Sequence, residues 1–102
     1  MEEKIKISML LRIYGKLLTE KQQEFMEYYY NDDLSLSEIA ENEGITRQAV
    51  RTILLKSSKK LEEYETKLGF MEKEDKIKEL LIELEQNPNK QKLIEIRKLL
   101  NN

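Results

Sequence analysis

The stretch "LSLSEIAENEGITRQAV", Leu34 to Val50, constrains the fold more than any other part of the chain. Ser35 followed three residues later by Glu38 fits a capping box. In it the serine hydroxyl and the glutamate side chain each accept a backbone N–H left unpaired at a helix start. That helix should run to about Glu43. Gly44 then permits a left-handed backbone that side chains disfavour, and Thr46 caps a following helix. Two helices that cross steeply need a small residue at the crossing and apolar side chains to plug it. Ala40 supplies the first, and Ile39, Ile45, Val50 and Ile53 fall at offsets that supply the second. Together these match a helix-turn-helix whose second, recognition helix starts near Arg47. Glu43 departs from the pattern, because the residue before the glycine is usually apolar. Its side chain should turn outward, or the helix should fray there.

Helical spacing governs the remainder. From Arg47 no breaker occurs until Gly69, so the recognition helix should span about 47–67, near 30 Å at ~1.5 Å per residue. Upstream, Ile5, Met9, Ile13 and Leu17 recur every fourth residue with Leu10 and Tyr14 alongside, giving a helix of about 3–17. Gly15 within it either permits close packing or costs about 1 kcal/mol relative to alanine. Thr19 and Gln22 form a second capping box, opening a helix near Glu20 with Phe25, Met26, Tyr28 and Tyr29 as its apolar positions. Asn31 to Asp33 end it. Beyond Gly69, a helix of about 72–86 carries Ile77, Leu80, Leu81 and Leu84. Asn87-Pro88-Asn89 interrupts, and a helix of about 89–100 carries Leu93, Ile96, Leu99 and Leu100.

No strand pattern appears. The expected fold is all-α, a helix-turn-helix core with a long recognition helix and a C-terminal helical extension. The expected domains are 1–70, the helix-turn-helix, and 71–102, a helical hairpin suited to dimerisation. Leu61, Tyr64 and Leu68, with Leu80, Leu84, Leu93 and Leu100, could build a two-fold interface.

Composition removes whole classes of chemistry. The chain has no histidine and no cysteine. Zinc sites of the usual Cys/His type and His-based acid–base relays are therefore excluded. Neither a P-loop nor a GxGxxG fingerprint is present. The many carboxylates lie in charge-rich helical stretches, which read as solvated faces rather than catalytic pairs. The chain is thus expected not to be an enzyme, and no cofactor or metal is expected. No apolar run is long enough for a membrane span, and "MEEKIKISML" lacks the apolar core of a secretory signal. A cytoplasmic location is expected.

Charge is distributed unevenly. The net charge is −2, yet residues 47–60 hold Arg47, Arg51, Lys56, Lys59 and Lys60 and no acid. Residues 34–46 hold three acids and no base, and residues 61–87 hold nine acids against four bases. The basic patch is fenced by negative charge, so non-specific phosphate binding should be weak and readily lost with salt. If the recognition helix enters a groove, its leading residues reach the bases. Gln48 could pair with adenine and Arg47 with guanine. The candidate nucleic-acid contacts are Thr46, Arg47, Gln48, Arg51, Thr52, Lys56, Lys59 and Lys60. The same residues also suit a capped, solvated helix start, and Ile53, Leu54 and Leu55 suit helix packing. Tyr28, Tyr29 and Tyr30 are not interleaved in sequence with these cations, so core or partner packing suits them better than base stacking.

"LLTEKQQEFMEYYYNDDLSLSEIAENEGITRQAV", with "LEEYETKLGF" downstream, resembles the YlxM-like helix-turn-helix family over about residues 7–86. The resemblance implies a fold similar to region 4 of bacterial sigma factors, of the winged-helix-like DNA-binding type without a wing. It further implies a cytoplasmic bacterial protein whose gene commonly lies beside that of the signal recognition particle GTPase. The function it implies is modulation of that protein-targeting pathway through contact with the particle's GTPase or RNA. A DNA-binding transcriptional regulator is the alternative.

Overall fold

A computed structural model describes residues 3–101; the outermost residues of the two expected domains, 1, 2 and 102, lie outside it. All the described secondary structure is helical. The chain divides into two units, Met1–Leu68 and Gly69–Asn102. No described helix is long and apolar enough to cross a membrane.

The first unit contains α1 (Glu3–Tyr14), α2 (Glu20–Tyr30), α3 (Leu36–Glu43) and α4 (Arg47–Leu68). The first helix does not run to residue 17. At Gly15 it tightens into a single 3-10 turn, Gly15–Leu17, closed by the Leu18 N–H donating to the Gly15 carbonyl at 3.1 Å. Gly15 is buried, and a Cβ there would stand 3.2 Å from Leu11 Cδ1, so its small size serves close packing. The Thr19–Gln22 capping box that opens α2 is formed in both directions.

The buried face of α1 is not the one that the fourfold spacing picks out. Ile5 and Leu17 are 51% and 56% exposed, and Met9 and Ile13 are half-buried. Ile7, Leu10, Leu11 and Tyr14 are buried instead. Steps of four on a helix of about 3.6 residues per turn drift by roughly 40° each, so 5, 9, 13 and 17 spiral off any one face. Steps that alternate three and four, as in 7, 10/11 and 14, stay on one face.

These side chains form a core with Leu18, Phe25, Met26, Ile39, Ala40, Val50, Leu54 and Leu61. Each of α1, α2 and α3 packs on α4. Ser57 is the one buried polar residue of this core among those described, and its hydroxyl donates to the Ile53 carbonyl at 2.7 Å. Satisfying it this way avoids the penalty for an unpaired buried hydroxyl.

The later turns of α4 are fastened to the end of α1. The Tyr14 hydroxyl donates to Glu65 Oε1 at 2.6 Å, the Tyr14 and Tyr64 rings lie 6.0 Å apart, and the Tyr64 hydroxyl donates to the Leu17 carbonyl at 3.3 Å. This corrects part of the expected two-fold interface. Leu61 is fully buried in its own core and is not open to a partner, while Tyr64 is half-buried and engaged with Leu17.

The second unit is a helical hairpin of α5 (Phe70–Gln86) and α6 (Lys90–Asn101). Gly69 adopts φ +65°, and α5 starts directly after it, two residues before the expected position. Asn89 opens α6 by accepting the Gln91 N–H on its side chain at 2.7 Å. Glu83 and Lys92 pair across the hairpin at 3.3 Å.

Candidate nucleic-acid interface

The site begins with the turn between α3 and α4. Ser35 and Glu38 close their capping box, with the Ser35 N–H donating to Glu38 at 3.0 Å and the Glu38 N–H donating to Ser35 at 3.1 Å. These bonds from Ser35, backbone first, favour the ionised carboxylate and lower the Glu38 pKa from its ordinary value. The helix ends at Gly44, which lies at φ +67°, ψ +34°. The Ile45 N–H then donates back to the Ala40 carbonyl at 3.0 Å. A backbone that turns this sharply in the left-handed region disfavours a Cβ, and this sets the entry of α4. Thr46 caps α4 by accepting the Ala49 N–H at 3.0 Å. Ile39, Ala40 and Val50 are buried at the crossing, while Ile45 and Ile53 are half-buried. Glu43 completes α3 and its side chain is exposed, so the helix does not fray before it.

Burial of Val50, Leu54, Ser57 and Leu61 fixes which side of α4 faces inward. With about 100° of rotation per residue, the opposite side is a ridge of Gln48, Thr52, Leu55 and Lys59. Gln48, Leu55 and Lys59 are exposed and Thr52 is half-buried. Arg47 and Arg51 project along one flank of this ridge, and Lys56 and Lys60 along the other. All five cations are exposed, and among the described residues none takes part in an ion pair. Thr46 is exposed at the mouth of the turn. The eight residues named from sequence therefore share one helix start and the turns that follow it. They are sorted into two charged flanks and a mostly uncharged crest, with Thr46 committed to its cap. Glu62 and Glu63, also exposed, close the basic stretch one turn later.

Two side chains near this surface escape a linear reading. Tyr29 and Tyr30 of α2 line a shallow depression of about 120 Å³ with Leu36, Arg51, Leu54 and Leu55. Only folding brings residues twenty apart in sequence to the same rim. The rings are already engaged: Tyr29 and Tyr30 meet edge to face at 4.9 Å, and the Lys4 ammonium lies 5.2 Å from the Tyr29 centroid. Leu55 is likewise absent from the sequence-based candidates, yet it is 57% exposed at the centre of the ridge. Its hydrophobicity argued for the interior, and only the position of the core shows that it points out.

Comparison with known proteins places these residues in a family. The UPF0122 family, described as a helix-turn-helix protein, "YlxM / p13 like", matches residues 1–100. A UPF0122 protein of Clostridium kluyveri is 52% identical over 79 residues, covering 78% of this chain and 71% of the relative. One from Clostridium perfringens is 50% identical over 93 residues, covering 87% and 83%. One from Desulforamulus reducens is 48% identical over 84 residues, covering 82% and 72%.

Proposed function

The chain belongs to the UPF0122 family of YlxM/p13-like helix-turn-helix proteins, and we propose that it binds nucleic acid through α4 as a modulator of the signal recognition particle pathway. The observation that carries the binding reading is the pair of charged flanks, Arg47 with Arg51 and Lys56 with Lys60, on either side of the α4 ridge. A polyanion presents phosphates in two rows along a groove, and two rows of unpaired cations about a helix width apart complement them. The link to the targeting particle comes from the resemblance of the helix-turn-helix and "LEEYETKLGF" stretches to the YlxM-like family. In this reading α4 meets the particle's RNA, and the particle's GTPase is the protein with which the complex forms.

The test is binding of the full chain to the particle's RNA, its GTPase and random duplex DNA, each at two salt concentrations. RNA binding that weakens with salt and with loss of the α4 cations is the expected result. Absence of binding to both RNA and GTPase at micromolar concentration refutes the targeting reading.

One observation favours the alternative, a DNA-binding regulator. The crest between the flanks carries Gln48, Thr52 and Leu55, which suit an adenine edge and a thymine methyl. The major groove of B-DNA admits a helix, whereas that of A-form RNA is too deep and narrow for side chains to read. Under this alternative, Gln48→Ala relaxes base preference by roughly 1–3 kcal/mol. Selection from a random duplex pool that enriches no sequence removes it.

A further inference from the structure

The C-terminal hairpin has more apolar surface than two helices can bury against each other. Among its described residues only Ile96 is buried, although α5 carries Ile77, Leu80, Leu81 and Leu84 and α6 carries Leu93, Ile96, Leu99 and Leu100. Leu81 is 46% exposed, Leu93 56% and Leu100 67%. Helical rotation puts Leu93 and Leu100 on the same side of the α6 stripe as each other, in line with Ile96. An apolar face of this kind is stable only when another element covers it.

Charge says what the covering element is. In α5 there are six acids and three lysines, a net −3; in α6 there are four bases and one acid, a net +3. These signs run against the helix dipoles. Glu83 and Glu85 stand near the C-terminus of α5, and Lys90 and Lys92 near the N-terminus of α6, where each is disfavoured by its own helix. Pairing between helices offsets this, as Glu83 and Lys92 do at 3.3 Å within the hairpin. Glu85 and Lys90 take part in no ion pair among the described residues.

We propose that two copies of the chain associate through α5 and α6 into an antiparallel four-helix bundle, with each α5 beside the partner's α6. In that order acidic and basic helices alternate around the bundle, and Leu81, Leu93 and Leu100 face its interior. The order that sets α5 against α5 puts like charges together and is disfavoured. Two-fold symmetry satisfies both copies with one interface. The bundle tethers two helix-turn-helix units, independently of what α4 binds.

Sedimentation of the full chain over roughly 1–100 µM, where dimer and monomer exchange by mass action, tests this. The expected mass is twice the 12.2 kDa of one chain. The double variant Leu93→Glu/Leu100→Glu should sediment as a monomer while its circular dichroism still reports a folded helical chain. A monomer throughout, or a dimer untouched by that variant, overturns the proposal. A second arm tests the helix order. One chain carries Glu79→Lys, Glu83→Lys and Glu85→Lys; the other carries Lys90→Glu, Lys92→Glu and Lys98→Glu. Each alone should be monomeric, and their mixture should form a one-to-one complex. Failure of the mixture to associate means that the charges serve only the hairpin's own fold, and the intermolecular pairing is then wrong.

Discussion

Removing one flank of α4 tests whether nucleic acid sees both. Lys56 and Lys60 are exposed, take part in no ion pair among the described residues and lie outside the core. Changing both to alanine removes charge without opening a cavity, and alanine keeps the helix, being its best former. The magnitude follows from counterion release. Five engaged cations on a double-stranded polyanion give a slope of log affinity against log salt of about −4.5, and three give about −2.7. Between about 50 and 200 mM salt, affinity then falls roughly 500-fold for the native chain and roughly 40-fold for Lys56→Ala/Lys60→Ala. Fluorescence anisotropy of labelled targeting-particle RNA at four or five salt concentrations measures both slopes. The companion Arg47→Ala/Arg51→Ala should flatten the slope by a similar amount. If only the arginine pair matters, one edge of the helix makes the contact and the two-row reading is wrong. If neither changes the slope, α4 is not the binding surface.

The scaffold of the site yields further predictions. Thr46→Ala removes the cap on Ala49 N–H and should cost about 1 kcal/mol in urea unfolding. Gly44→Ala meets open space, with nothing within 4 Å of the added Cβ. Its cost is therefore that of the left-handed backbone alone, about 1–2 kcal/mol, and Gly44→Asn should cost less. Leu61→Ala empties a fully buried position and should cost roughly 2–5 kcal/mol, seen as a lower denaturation midpoint. Glu38 gives an acid signature. Its folded pKa is lowered, so its contribution is complete above the ordinary value of 4.5 and is lost as pH falls through the folded value. Glu38→Gln keeps an acceptor for Ser35 without titrating, so its stability should decline less than the native chain's on acidification below that value. Equal declines in the two would remove Glu38 from the account.

The turn and caps were legible in the sequence because their causes are local. Ser35 and Glu38, Thr19 and Gln22, and Thr46 and Ala49 each lie three residues apart. Gly44 needs only its own backbone. The core face of α1 was not legible, because apolar residues occupy two faces of that helix. Choosing Ile7, Leu10, Leu11 and Tyr14 over Ile5 and Leu17 depends on where α4 lies, which no local pattern encodes. The same holds at the site. Arg47, Arg51, Lys56, Lys59 and Lys60 could be named from charge, but their sorting into flanks follows only once Val50, Leu54, Ser57 and Leu61 are known to point inward. Leu55 shows the cost of lacking that reference. Within an "ILL" run it reads as core, and one turn of geometry places it on the crest.

The net charge of −2 is then a poor guide to what α4 can bind. At physiological salt the field of an exposed charge fades within about 8 Å, so a phosphate near Lys56 senses the cations of its own turn more than the distant acids of the chain. Residues 47–60 span about 20 Å of helix at ~1.5 Å per residue. Within that length the two flanks act together, and beyond it Glu43 on one side and Glu62 and Glu63 on the other repel a continuing backbone. Such a surface gains little from sliding along an extended polyanion, where acidic ends oppose phosphates in every register. It gains most from a site short enough, or bent enough, to place phosphates on the flanks alone. Relieving the fence should therefore raise non-specific binding more than specific binding. Glu62→Gln/Glu63→Gln should tighten binding to a random-sequence duplex or single strand by several-fold, while a cognate RNA or DNA site tightens less. Equal gains on both, measured at one salt concentration, would show that the acids set overall affinity and not the length of the contact.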